Sequence, residues 1–353
     1  MRAISVTTTG GPEVLEYGPA PDPQPGPDEV LVRVHAAGVN FIDTYFRDGL
    51  YPAALPYVPG LEGAGEIVAV GPAVTDRHAG ERVAWCDVPA SYAELVAVPA
   101  ARALPIPDGV EYEVAGSSLL RGLTAHYLLD GVSTGLNQRT GLNQRTGLNQ
   151  RTGLNQRTGL NQRNGQDQRE QTVLVHAGAG GVGLILTQLA KAAGLRVITT
   201  VSSDAKEQLS RAAGADEVLR YTDDVPGRVR ELTSGRGVPV VYDGVGAATF
   251  EQSLSSAAVR GTVVLFGAAA GPVPPFDLQR LNPLGSLSVT RPTLAHFIAD
   301  PAELAWRAGE YFGALADGSV HVRIGQTYPL AEAAQAHRDL EARRTTGSTA
   351  LIP

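Results

Sequence analysis

Cysteine is nearly missing from this chain: Cys86 stands alone among 353 residues. A single thiol excludes an internal disulfide framework and any cysteine-rich structural zinc lobe. No run approaches the roughly 18 consecutive apolar residues of a membrane span, and the opening MRAISVTTTGG lacks the apolar segment of an export signal. Positive charge is also in deficit. Against 36 Asp and Glu there are 29 Lys and Arg, a net charge of −7, which argues against a broad nucleic-acid or anionic-membrane surface. With 43% hydrophobic and 18% charged residues, the composition is that of an ordinary globular protein. These absences predict a cytoplasmic protein, long enough for two domains with cores of their own.

What the chain has in quantity is glycine, and the glycines at 172–206, TVLVHAGAGGVGLILTQLAKAAGLRVITTVSSDAK, are the informative ones. Residues 172–176 read as a buried strand. Gly178, Gly180 and Gly183 then complete G-x-G-x-x-G, with Ala179, Gly181 and Val182 between them. A helix over 184–193 and a second strand over 196–201 follow. This order is what a dinucleotide pyrophosphate needs: Gly178 for a tight turn, Gly180 for backbone approach, Gly183 for close helix–strand packing. The tip of the second strand carries Ser202, Ser203 and Lys206 where NAD sites usually place a carboxylate. Two hydroxyls and an ammonium suit a 2′-phosphate, so NADPH is the expected dinucleotide. Asp204 is read as opening the next helix.

Before that unit the chain reads as β-rich, with strands at 29–36, 65–70, 82–85 and 92–98 between Pro/Gly breaks. After it come helices at 205–213, 225–233 and 249–258, and strands at 217–221, 239–243, 262–267 and 286–290. Six strands with crossover helices predict a doubly wound parallel sheet, hence an α/β fold. Helices at 301–316 and 330–343, a strand near 321–324 and a final strand returning to the first domain complete the reading. Between the halves, TGLNQR repeats five times from Thr134 to Arg163, followed by NGQDQR. With one apolar residue in six, this array is expected to be an exposed loop.

The candidate active-site loop is 38–52. In it Asn40 would hold a carboxamide, Tyr45 a phosphate or ribose, and Tyr51 a substrate; Asp43 lies among them. His35, His126 and His176 fall in strand or helix patterns and read as core or boundary histidines.

Seven segments together resemble the zinc-independent quinone oxidoreductases, the ζ-crystallin-like group of the medium-chain dehydrogenase/reductase superfamily. They are GGPEVLE (10–16), NFIDTYFRDGLYP (40–52), RGLTAHYLL (121–129), HAGAGGVG (176–183), VVYDGVG (240–246), GSLSVTRP (285–292) and TGSTALIP (346–353). The resemblance implies a GroES-like β-rich catalytic domain over 1–123, completed by 291–353. It implies a Rossmann domain over 124–290 that contains the repeat insertion at 134–169. Asn40, Asp43 and Tyr51 are expected in the catalytic site. Asn40, Tyr45, Thr124 and Tyr127 would lie along the cofactor, Ser202, Ser203, Lys206 and Tyr221 around its 2′-phosphate, Val245, Phe266 and Gly267 beside the nicotinamide, and Arg343 at a further contact. Where zinc-dependent relatives carry catalytic Cys, His-Glu and Cys, this chain has Asn40, Leu61-Glu62 and the stretch around 119–120. No catalytic metal is therefore expected. The implied activity is hydride or stepwise electron transfer from NADPH to a quinone, with protons from solvent or Tyr51, in a homodimer. Two rivals remain at this level: an NADPH-dependent enone or enoyl reductase, and a cofactor-binding structural or RNA-binding protein.

Overall fold

The computed structural model describes residues 1–132 and 172–353, so the repeat array and its reading as a loop lie outside the described residues. The described chain forms two compact units. The first comprises Met1–Thr124, Ala179–Ile185 and Thr293–Pro353; the second comprises Ala125–Gly178 and Leu186–Pro292.

In the first unit, β1 (Arg2–Ser5) and β2 (Glu16–Pro19) form a small hairpin sheet. They are followed by β3 (Glu29–Gly38), β4 (Glu62–Val70), β5 (Arg82–Cys86), β6 (Leu95–Pro99) and β7 (Leu104–Pro105). In β3, Val30, Val32 and Val34 are buried while Arg33 and His35 point outward. That period of two is what a strand with one face on a core produces. The core gathers Val30, Val32, Ile67, Trp85, Tyr92 and Val98, among others.

In the second unit the strands are β8 (Thr172–Val175), β9 (Arg196–Val201), β10 (Glu217–Arg220), β11 (Val238–Asp243), β12 (Ala257–Leu265) and β13 (Ser288–Thr290). All pairings are parallel, in the order β10-β9-β8-β11-β12-β13. The central β8 is buried at all four residues, because helices cover both faces of such a sheet. Strand order reverses between β8 and β11, and ligands of open parallel sheets bind beyond the carboxyl ends at such a switch point.

Back in the first unit, β14 (Ile324–Pro329) and β15 (Ser348–Ile352) complete a seven-stranded sheet. β15 pairs antiparallel with β3, joining Ala350 to Gly38 and Leu351 to Ala37. The return of the terminal strand to the first domain is thus realised.

Three local expectations are corrected. The segment 38–52, read as loop, contains the helix Phe41–Arg47, initiated by a local cap that pattern reading passed over. The strand near 321–324 begins instead at Ile324 and continues to Pro329, since its partner β15 sets the register. The strand read as 262–267 starts earlier, at Ala257, and its register against β11 shifts between Val238 and Val240. A bulge of this kind breaks the apolar run that a sequence pattern follows.

Candidate functional site

Asn40 begins the helix Phe41–Arg47 in extended backbone geometry. Its backbone N–H donates to Asp43 Oδ2 at 2.8 Å, the carboxylate half of a capping box. Its side chain is held from the other direction: Nδ2 donates to Glu62 Oε1 at 2.7 Å. Glu62 Oε2 accepts from Leu120 N at 2.8 Å, and the Arg121 guanidinium lies 3.7 Å from Glu62. Because Glu62 acts as acceptor, the Asn40 amide has only one orientation, with Oδ1 as its remaining acceptor. Burial pushes the Glu62 carboxyl above its ordinary value, and Arg121, Asn40 and Leu120 pull it back. A Cβ at Gly38 would come 2.1 Å from Glu62 Oε1, so the glycine makes room for that carboxylate.

Tyr45 and Tyr51 pack edge to face at 5.4 Å, and Tyr51 N donates to Tyr45 O at 2.8 Å. Tyr45 is buried and Tyr51 half-buried. The sequence-predicted Asn40, Asp43, Tyr45 and Tyr51 are therefore brought together on one short helix and the turn after it. Sequence reasoning missed what holds them. Asp43 Oδ2 also accepts from Tyr92 Oη at 2.9 Å, Tyr92 Oη lies 3.1 Å from His337 Nε2, and Arg47 reaches His337 Nδ1 at 3.2 Å. No local motif announces partners 49 to 290 residues apart.

The glycine turn behaves differently from its sequence reading. The left-handed residue is Ala177, at φ 56°, so Gly178 is not the residue that permits the turn. Gly178 is required by contact: a Cβ there would lie 2.5 Å from Thr199 Cβ and 2.8 Å from Ser210 Oγ. Gly181, the first residue of the helix Gly181–Ala192 and itself part of the first unit, is required by contact in the same way. Its Cβ would lie 2.4 Å from Arg121 Cδ and 3.1 Å from Gly347 O. Gly347 N also donates to Ala179 O at 3.3 Å. The amino-terminal turn of this helix is a ready anion site.

At the end of β9, Ser202 and Ser203 are exposed and Ser203 caps the helix Asp204–Ala212, with its hydroxyl accepting from Lys206 N. Asp204 belongs to this helix, as read, and its carboxylate takes Arg220 Nη2 at 2.7 Å. Arg220 also holds Glu207 at 2.5 Å. Arg211 Nε also donates to Glu207 at 2.9 Å, so two guanidinium groups, which sequence reasoning overlooked, balance the two carboxylates near the strand tip. The next residue, Tyr221, accepts from Ala177 N at 2.9 Å through its hydroxyl and stacks on His176. His176 is fully buried and bonds Thr200 at 2.8 Å through Nδ1, while its Nε2 has no partner among the described residues. Burial lowers the His176 pKa, against the pull of Asp243.

Beyond β11, Asp243 organises the turn that carries Val245. Its Oδ1 accepts from Val245 N at 2.8 Å and Gly246 N at 3.0 Å, and its two oxygens take Thr249 and Ser253 hydroxyls at 2.7 to 2.8 Å. Phe266 and Gly267 lie against this turn: Phe266 N donates to Asp243 O at 2.9 Å, and a Cβ at Gly267 would meet Gly244 O at 2.5 Å. Three other predicted contacts are carried by the helix Tyr112–Asp130 and the residues just after the helix Ala333–Glu341. Thr124 spends its hydroxyl on Leu120 O within the helix Tyr112–Asp130. Tyr127, in the same helix, is buried, and burial raises its phenol pKa. Arg343 is exposed, in left-handed geometry just after the helix Ala333–Glu341.

Residues 26–108 match the alcohol dehydrogenase GroES-like domain, and residues 181–306 match the zinc-binding dehydrogenase family. The chain is 45% identical to the quinone oxidoreductase of Pseudomonas aeruginosa over all of this chain and 99% of that protein. It is 34% identical to a 2-haloacrylate reductase of a Burkholderia species, over all of this chain and 99% of that one. A mycobacterial structure solved in complex with NADPH superposes with a TM-score of 0.88 at 50% identity, covering 100% of both chains. The zinc in one of these family descriptions does not fit the residues present. Both Glu62 oxygens are engaged by N–H donors beside a guanidinium, and among the described residues no group of three or more His, Cys, Asp or Glu is placed to hold a metal. No described helix is long and apolar enough to cross a membrane.

Proposed function

Because the chain belongs to the quinone oxidoreductase family of the medium-chain dehydrogenases/reductases, we propose that this oxidoreductase is an NADPH-dependent quinone reductase. The observation that carries the reading is the strand tip: exposed Ser202 and Ser203 and the nearby Lys206, with Asp204 paired to Arg220 and Glu207 paired to both Arg220 and Arg211. A 2′-phosphate finds hydroxyl and ammonium donors there without facing an uncompensated carboxylate. The amide groups of the Ala179–Gly183 turn take the pyrophosphate. Tyr221 supports the turn through Ala177, and Val245, Phe266 and Gly267 flank the nicotinamide. Asn40, locked by Glu62, offers Oδ1 to a hydroxyl or amide N–H of the cofactor, with Tyr45, Thr124, Tyr127 and Arg343 as further contacts.

Bound NADPH supplies a hydride from its nicotinamide. A quinone accepting that hydride also takes one proton, from solvent or Tyr51, to leave as the quinol. No residue need polarise an alcohol, because the acceptor is already electron-poor; positioning suffices. Fluorescence titration with NADPH and NADH, followed by stopped-flow with 1,4-benzoquinone and phenanthrenequinone, tests the reading. Tighter NADPH binding and rapid oxidation with a quinone are expected; NADPH stable in the presence of every quinone overturns it. The 2-haloacrylate reductase relative favours one second reading, reduction of a conjugated double bond. An α,β-unsaturated ketone turned over faster than any quinone would select it. Sedimentation analysis checks the homodimer that family resemblance implies.

A further inference from the structure

Asp43 is buried, carries its hydrogen bonds on one oxygen and leaves Oδ1 without a partner among the described residues. Its surroundings come from several parts of the first unit. Tyr92, from the segment before β6, donates to it. Arg47 stands on its own helix, and Tyr57 lies in the chain before β4, its hydroxyl likewise buried and unpartnered. Glu62 and Arg121 act on it from β4 and the helix Tyr112–Asp130, and His337 stands behind Tyr92.

The direction of each bond in this chain is decided by one residue. Arg47 has only donors, so His337 Nδ1, 3.2 Å away, must accept. Nδ1 then has no proton, and the neutral imidazole carries its proton on Nε2. Burial and the Arg47 charge hold His337 neutral, its pKa down at about 3. Nε2–H therefore donates to Tyr92 Oη, and the Tyr92 hydroxyl proton points to Asp43 Oδ2. Arg47 is anchored in turn by Glu341 at 2.6 and 3.2 Å and by Gly10 O at 3.0 Å. The whole chain runs one way, from guanidinium to carboxylate, and ends on the group that holds the Asn40 backbone.

We propose that His337 and Tyr92 are positioning residues: through this one-way chain they favour the ionised Asp43 carboxyl that fixes Asn40, and proton uptake at Asp43 releases that hold. The inference rests on the reading that Asn40 and Tyr45 contact NADPH. Geometry gives the mechanism. A carboxylate accepts strongly from both the Asn40 N–H and the Tyr92 hydroxyl, whereas a protonated carboxyl accepts weakly. Burial raises the Asp43 pKa to about 7, so the change falls within a measurable range.

The test is the NADPH dissociation constant, read by cofactor fluorescence between pH 5.5 and 8.5, for wild type, Asp43→Asn, Tyr92→Phe and His337→Gln. The cofactor's own phosphate titrates near pH 6, and Asp43→Asn reports that background alone. Relative to it, wild type should lose affinity severalfold as pH falls through about 7. Tyr92→Phe removes one donor from the carboxylate and should move this transition up by about one pH unit. His337→Gln, which keeps a donor toward Tyr92, should retain the wild-type profile. Identical profiles in wild type, Asp43→Asn and Tyr92→Phe overturn the proposal. A wild type that does not bind NADPH overturns the functional reading instead. Should Tyr92→Phe not fold, His337→Leu, which removes the donor to Tyr92 Oη, takes its place, and a transition unmoved from wild type overturns the proposal.

Discussion

Single atoms decide much of this site. Glu62 offers two acceptor oxygens to two donors, Asn40 Nδ2 and Leu120 N. Glutamine has one acceptor and one donor in the same space, so Glu62→Gln turns an N–H toward an N–H and removes the charge facing Arg121. A loss of about 1–3 kcal/mol is expected, measured by urea unfolding, together with weaker NADPH binding. Gly178→Ala places a methyl 2.5 Å from Thr199 Cβ, which no rotamer relieves. Overpacking of this kind costs about 1–3 kcal/mol, and the same urea unfolding checks it. The glycine spacing was legible in the sequence. The reason for Gly178 was not, because its neighbour Thr199 stands on a different strand.

Turns and caps show the same split at the scale of elements. Asp300 before Pro301 signals the start of the helix Pro301–Ala316, and its side chain accepts from Ala302 N at 2.9 Å. The predicted and observed spans agree there, because cap, proline and apolar periodicity lie in neighbouring residues. The helix Phe41–Arg47 escaped notice because its cap is made of Asn40 and Asp43, whose side chains are also claimed by Glu62 and Tyr92. In the VVYDGVG segment the spacing identifies the turn, and the structure identifies Asp243 as its organiser. Asp243→Ala frees two backbone N–H groups and two hydroxyls at once. It should weaken NADPH binding at least tenfold and increase protease cleavage at residues 244–249; unchanged cleavage would show that the turn is held by other means.

For the whole molecule, two buried groups give opposing pH terms. Asp43 has a folded pKa of about 7, above 3.8, so its contribution to stability falls as pH rises between those values. His337 has a folded pKa of about 3, below 6.5; the unfolded chain takes up the proton first, so stability falls as pH drops through that window. Between roughly pH 4 and 6.5 the two slopes offset one another. Asp43→Asn should expose the histidine term, giving thermal midpoints that fall more steeply than wild type on acidification from pH 6.5 to 4. Parallel curves would refute the pairing. NADPH at 100 times its dissociation constant should stabilise the protein by about 2.7 kcal/mol, and NADH at the same concentration by less, in matched thermal scans.

The sequence by itself determined the alternation of strands and helices after residue 172, the dinucleotide turn, the hydroxyl-bearing strand tip and the shortage of metal ligands. Each of these is written in residues a few positions apart, where backbone geometry and periodicity act directly. The tertiary structure alone decided which way the Asn40 amide faces, why Gly178 is glycine, that Arg220 pairs with both Asp204 and Glu207, and that Arg47, His337 and Tyr92 converge on Asp43. Those facts depend on side chains that only folding brings within 3 Å or so of one another, and hydrogen-bond direction is fixed at that distance.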